Sequence, residues 1–124
     1  MPSGRLRDSS ANVTGQRAGG AERDRVLAAM ADPTRRQLLD MLAAEGPATA
    51  STLAAGLPIS RQAIVKHLTI LAGAGLVTSS KHGRDVRFVV ETERLAQTAD
   101  WMASLAAEWD ARLAMIKRIA EAGR

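Results

Sequence analysis

The sequence contains no cysteine and no tyrosine, and its only aromatic residues are Phe88, Trp101 and Trp109. Without cysteine there are no disulfides and no thiolate-held metal sites. Three rings are too few to build a platform on which single-stranded bases stack. Histidine is nearly as scarce, with only His67 and His82. There is no glycine-rich phosphate loop, and no nucleophile with a base beside it can be picked out. The expectation is therefore a chain that is not an enzyme, with no catalytic residue, no metal ligand and no cofactor. No apolar run approaches the roughly 20 residues of a membrane span, and no charged n-region leads into an apolar h-region. The expected setting is cytoplasmic, with no membrane partner.

What is present is an unevenly placed positive charge. The chain has 124 residues, 17 Lys and Arg against 13 Asp and Glu, and a formal net charge of +4. The stretch from Ser60 to Arg87 alone carries a net +4, from Arg61, Lys66, Lys81, Arg84 and Arg87 against Asp85. The first twenty residues are basic as well, while residues 21–59 and 88–124 are each slightly acidic. A basic segment on an otherwise balanced chain is the electrostatic footprint of a protein that grips duplex DNA.

Residues 1–20 mix Gly, Ser, Arg and Asn with almost no bulky apolar side chain, which predicts a disordered basic arm. Residues 21–124 then form one domain. A first helix is expected over 22–31, with Val26, Leu27 and Met30 as its apolar stripe. Asp32-Pro33 reads as an N-cap followed by the first helical position, so a second helix begins there, buries Leu38, Leu39 and Leu42, and stops at Gly46-Pro47. Arg35 and Arg36 follow; one is expected to pair with an acid such as Asp32 or Asp40, the other to approach the backbone. Thr49 caps a third short helix that turns Leu53 and Leu57 inward and closes at Gly56 and Pro58. Ser60 caps a fourth, whose Ile64, Leu68 and Leu71 fix the inward face and leave Gln62, Lys66 and Thr69 opposite, with Val65 on one flank. A helix pair joined by a Gly/Pro turn, the second with a polar outer face, is a helix-turn-helix candidate. Gly75 ends it. Two β-rich runs, Leu76 to Lys81 and Val86 to Val90, flank His82-Gly83-Arg84-Asp85, which predicts a hairpin, or wing.

From Glu91 to about Glu121 apolar residues recur at Leu95, Ala99, Met102, Ala106, Trp109, Leu113, Ile116 and Ala120. The 4-3 spacing is an unbroken heptad seam, and Trp101 and Leu105 widen it. A small domain cannot cover so long a helix, and an identical chain is the simplest cover. The two tryptophans can pack in that interface or line a small-molecule pocket. The fold class is thus mainly α with a small β-hairpin: a winged helix-turn-helix with a long C-terminal dimerisation helix.

Three stretches carry a resemblance to the ArsR family of bacterial winged-helix repressors: Ala31-Asp32-Pro33-Thr34-Arg35-Arg36-Gln37-Leu38-Leu39; Ser60 to Leu71 with Lys66-His67-Leu68 inside it; and Ala74-Gly75-Leu76-Val77 leading into the wing. The resemblance covers roughly residues 22–122. It implies a homodimer built on the first and last helices (22–31 and 91–122), recognition helices in successive major grooves, and wings at the flanking minor grooves or backbone. It places Ser60, Arg61, Gln62, Val65, Lys66 and His67 in the reading helix, and Lys81, His82, Gly83 and Arg84 in the wing. The family often has a small polar residue where this chain has Val65, which can touch a thymine methyl but cannot hydrogen-bond a base edge. The well-known metal sensors of the family use cysteines, or acid and histidine clusters on the last helix. Here Asp100, Glu108 and Asp110 have no histidine beside them, so the resemblance is to the metal-independent members.

Individual residues then take expected roles. Arg61 and Lys66 meet base or phosphate. Gln62 can pair with adenine or stand as a surface polar residue. Thr69 reaches a phosphate or solvent, and His67 a cap or a phosphate. His82 is a turn residue, Arg84 serves the minor groove or a phosphate, and Arg87 a phosphate. The dimer interface is expected at Val26, Leu27, Met30, Leu95, Ala99, Met102, Ala106, Trp109, Leu113 and Ile116. The function that follows is a homodimeric, sequence-specific transcriptional repressor on an inverted repeat of double-stranded DNA. The alternative is a winged-helix protein-interaction module. The sequence does not show whether an inducer binds.

Overall fold

The computed structural model describes residues 19–123. Helix α1 occupies residues 19–30, so Gly19 and Gly20, placed above in the disordered arm, are already helical; residues 1–18 of that arm lie outside the described residues. Six elements follow before the last helix is reached: α2 (Pro33–Glu45), β1 (Ala48–Thr49), α3 (Ala50–Ala55), α4 (Arg61–Gly73), β2 (Val77–His82) and β3 (Asp85–Val90). Helix α5 (Glu93–Ala122) completes the chain.

Short oxygen-bearing side chains set the helix starts. Asp32 accepts from the backbone N–H groups of Thr34 and Arg35, Thr49 from Thr52, and Ser60 from Ala63. Each satisfies donors that a helix N-terminus leaves orphaned. Glycines set two of the ends. Gly46 closes α2 at φ +85°. After α4, Gly75 adopts φ +76°, its N–H bonds Ala72 O at 3.0 Å, and Leu76 N–H bonds Leu71 O at 2.9 Å. That paired pattern is a Schellman closure, and the left-handed residue within it favours glycine.

The wing is tighter than the sequence implied. His82 pairs with Asp85 across the hairpin, so the loop is Gly83-Arg84 alone. Gly83 lies at φ +62° and among the described residues no non-glycine residue has positive φ, the pattern of a type II′ turn. His82 is therefore the last residue of a strand and not a turn residue. The two-residue strand β1 pairs antiparallel with β3 and makes the sheet three-stranded, in the order β1-β3-β2. Sequence periodicity cannot register a strand of two residues.

Leu38, Leu42, Leu53, Ile64, Leu68, Leu71, Leu76 and Val77 form the core, with Phe88 and Val90 of β3 packed against it. Val26 is 1% exposed within the single chain, so it belongs to this core and not to a free dimer face. Leu27 beside it is exposed, and Met30 is half-buried against the core.

Helix α5 starts two residues later than expected because Glu91 still belongs to the sheet edge, its N–H donating to Leu76 O at 2.9 Å. Its N-terminal half packs on the body through a stripe beside the heptad seam. Arg94 pairs with Glu22 of α1 at 3.9 Å, Thr98 is buried with its hydroxyl donating to Arg94 O at 2.8 Å, and Trp101 lies under the Arg23 guanidinium, 4.6 Å from the ring centroid. The seam itself stays uncovered from end to end.

Candidate nucleic-acid interface

Helix α4 is held by one face and free on the other. Ile64, Leu68 and Leu71 are fully buried, which fixes the rotation of the helix about its axis. Arg61, Gln62, Val65, Lys66 and Thr69 consequently point to solvent. Arg61 is steadied by its Nε–H, which donates to Ser51 Oγ of α3 at 3.0 Å. Thr69 donates its hydroxyl to Val65 O at 2.9 Å, the back-bond common for helical Thr, so its proton is committed within the helix.

His67 does not reach outward. It is half-buried, and its Nδ1 lies 3.4 Å from Arg35 Nη1. A guanidinium only donates, so the contact is a hydrogen bond in the tautomer that leaves Nδ1 free to accept. Arg35 also donates from Nε to Ala29 O at 2.8 Å and from Nη2 to Ala28 O at 3.1 Å, while Arg36 donates to Met30 O. Arg35 on Ala29 O and Arg36 on Met30 O thus satisfy orphan carbonyls at the C-terminus of α1 and complement its dipole, while Ala28 O also accepts from Ala31 N–H. Arg35 and Asp32 form the expected ion pair at 3.6 Å. Partial desolvation raises the Asp32 carboxyl, but the N–H groups of Arg35 and Thr34, the Arg35 charge and His67 outweigh it and hold the group below its ordinary value. This linkage joins α1, α2 and α4 and supports the reading helix from behind. Sequence reasoning could not find it, since the partners lie up to 32 positions apart.

On the wing, Lys81, His82, Gly83, Arg84 and Arg87 are all exposed. Ser80 Oγ and His82 Nε2 are 3.0 Å apart on the same strand. The ion pairs among the described residues are Arg35–Asp32, Arg94–Glu22 and Arg112–Glu108. None involves Arg61, Lys66, Lys81, Arg84 or Arg87, so these five cations stand without an ion-pair partner, with Asp85 the one acid among them. A cleft of about 310 Å³ runs between α4 and the wing, lined by Arg61 and Val65 of the helix, by Arg84, Asp85, Val86 and Phe88 of the wing, and by Thr49 to Ser51. Of the α4 and wing residues named from sequence, Arg61, Val65 and Arg84 line this cleft; Gln62, Lys66, Thr69, Lys81, His82, Gly83 and Arg87 are exposed outside its lining, and His67 is half-buried. The structure adds Ile70, 47% exposed on α4 beside a shallow depression lined by Arg25, Ala28 and Arg35. The available signal was its place off the 64-68-71 stripe.

An exposed basic helix beside a basic hairpin is an arrangement that places side chains in a groove and cations on the flanking phosphates. Comparison with known proteins agrees. A helix-turn-helix domain model matches residues 30–80. The transcriptional repressor SdpR of Bacillus subtilis is 35% identical over 77 residues, covering 62% of this chain and 84% of that protein. An ArsR-like transcriptional regulator from Rhodococcus sp. RHA1 is 47% identical, superposes with a TM-score of 0.73, and is matched over 81% of this chain and 93% of its own. The chain belongs to the ArsR family of transcriptional regulators. A further relative of this ArsR-family chain, the regulator HlyU of Vibrio vulnificus, is 30% identical over 76% of this chain and 97% of its own, with a TM-score of 0.54. These relatives are regulators and not enzymes. Among the described residues no group of His, Asp and Glu could hold a metal ion, and no helix is long and apolar enough to cross a membrane.

Proposed function

We propose that this ArsR-family regulator is a homodimeric repressor that occludes a promoter by covering an inverted repeat. The observation that carries the reading is the cleft between α4 and the wing, which Arg61 and Arg84 both line and in which the one carboxylate, Asp85, forms an ion pair with neither. Cations held apart in this way release counterions from DNA at no cost in broken ion pairs. Gln62 and Val65 lie on the exposed face of α4 and meet base edges in the major groove, Gln62 by hydrogen bonds and Val65 by contact with a thymine methyl, while Lys66 beside them meets a phosphate. Lys81, Arg84 and Arg87 hold phosphates on either side. The relative named as a transcriptional repressor supports repression. The exposed seam of α5, together with Leu27 of α1, supports a second copy as partner.

Two recognition helices on one face of a dimer follow the helical repeat, so the half-site centres lie about 10–11 base pairs apart, or a multiple of that. Selection of bound duplexes from a random pool tests the reading. Enrichment of an inverted repeat with that spacing is expected. Absence of any enriched repeat, with a tight protein partner recovered instead, favours an interaction module.

A further inference from the structure

We propose that Arg61 reads a guanine in the major groove, and that Ser51, one helix earlier, is the positioning residue that aims it. This rests on the DNA-reading proposal above and deepens it. That proposal gives base edges to Gln62 and Val65 and phosphates to Lys66, Lys81, Arg84 and Arg87, and leaves the contact made by Arg61 open.

Arg61 is held differently from the other cations of α4 and the wing. Its Nε–H donates to Ser51 Oγ at 3.0 Å. Among the described residues, the side chains of Lys66, Lys81, Arg84 and Arg87 make no hydrogen bond and no ion pair within the chain. A phosphate contact carries no sequence information and tolerates a mobile cation, whereas a base edge is read from one direction. Ordering a long side chain before DNA arrives is useful where direction matters.

The free edge of the guanidinium gives the base. A guanidinium is a planar fork of N–H donors with no acceptor. Ser51 takes the Nε–H and leaves the edge formed by Nη1 and Nη2 able to donate twice in parallel. In the major groove guanine offers two adjacent acceptors, O6 and N7, which match that edge. Adenine carries a donor, N6–H, where guanine has O6, so the same fork would set a donor against a donor.

Both ends of the tether are anchored. Ser51 lies in the first turn of α3. The start of that helix is fixed by the pairing of Ala48 with Phe88 and Thr49 with Arg87, by the Thr49 cap, and by buried Ala50 and Leu53. Arg61 is the first residue of α4, whose rotation Ile64, Leu68 and Leu71 fix. Side chains at the start of a recognition helix are those that contact base edges. A second observation concerns the helix itself. A cation at a helix N-terminus faces the positive end of the dipole, and the first turn of α4 has no acid to offset it. Arg61 therefore weakens the helix it begins, which a contact with DNA explains and helix stability does not.

Selection from random duplexes by the full chain and by Arg61→Ala locates the base. The wild type should require guanine at one position of each half-site, and the variant should accept any base there while keeping its other preferences. Fluorescence anisotropy on defined duplexes then measures the preference. Replacing that guanine by adenine in one half-site should weaken wild-type binding about tenfold, and 7-deazaguanine, which lacks N7, should weaken it in the same direction. Ser51→Ala should cut the preference to about threefold by freeing the fork. It should leave the salt slope unchanged, since no cation is lost. Ser51→Thr, which keeps a hydroxyl, should restore the preference. If Arg61→Ala weakens binding equally whatever the base and lowers the salt slope, Arg61 is a phosphate contact and the proposal is overturned. If Ser51→Ala keeps the full preference, or lowers affinity for every base alike, the positioning role is overturned. If the wild type enriches no repeat at all, the DNA-reading proposal fails and this one with it.

Discussion

Lys66→Ala isolates the electrostatic part of DNA recognition. Lys66 is exposed on α4 and makes no ion pair among the described residues. Alanine keeps the helix propensity, so folding should be unaffected. In a dimer the substitution removes two cations from the DNA face. Each phosphate neutralised contributes about 0.9 to the slope of log affinity against log salt, so losing both lowers the slope by about 1.8. Between 50 and 200 mM salt, a fourfold change, the wild type should therefore lose about 12-fold more affinity than the variant. Fluorescence anisotropy with a labelled duplex across a salt series reads this directly, with the loss at low salt expected to be equal on operator and random duplex. An affinity loss of the same factor at every salt concentration would refute the phosphate role and return Lys66 to base contact or to helix geometry.

Three further outcomes follow from the local geometry. Ser60→Ala removes the side-chain acceptor for Ala63 N–H at the start of α4; a loss of about 1 kcal/mol is expected, with the melting temperature lower by about 5 °C. An unchanged melting curve would mean that water replaces the cap fully. Gly75→Ala combines a left-handed backbone, costing about 1–2 kcal/mol, with a Cβ that would fall 2.5 Å from Arg94 Cδ. Thermal denaturation should show Gly75→Ala with Arg94→Ala recovering part of that loss, and no recovery would place the whole cost in the backbone. Asp32 has a folded pKa below its ordinary 3.8, so its stabilisation is complete above that value and is lost as pH falls through the lower folded value. Asp32→Asn should accordingly lose less melting temperature than the wild type between pH 5 and pH 2.5, and an equal or steeper loss would remove Asp32 from the acid response.

Helix starts were legible because a cap is a local interaction. Asp32, Thr49 and Ser60 each bond a backbone N–H two or three residues ahead, and such a pattern can be read along the chain. The inward face of α4 was legible for the same reason, as Ile64, Leu68 and Leu71 recur at helical spacing. The exposed cations of α4 and the wing could be named from that face and from strand alternation. What escaped reading depends on partners distant in sequence. Arg35 closes α1 and touches His67, so a residue that looked like a DNA contact is partly internal. Val26 and Leu27 are neighbours on one short stripe, and only the packed chain shows that the first is core and the second free. On α5 two apolar stripes overlap. The heptad count found the uncovered one, while Thr98 disguised the covered one, because a threonine that bonds its own backbone can be buried without a partner.

The central claim is that the basic face from Ser60 to Arg87 is one half of a rigid, symmetric DNA-binding surface. Its most direct test is the affinity of the full chain for an enriched operator and for the same operator with five base pairs inserted between its half-sites. Five base pairs turn one half-site to the opposite side of the duplex. The account predicts that the insertion reduces affinity to that of a duplex carrying a single half-site. Equal affinity for the original and lengthened operators would contradict it.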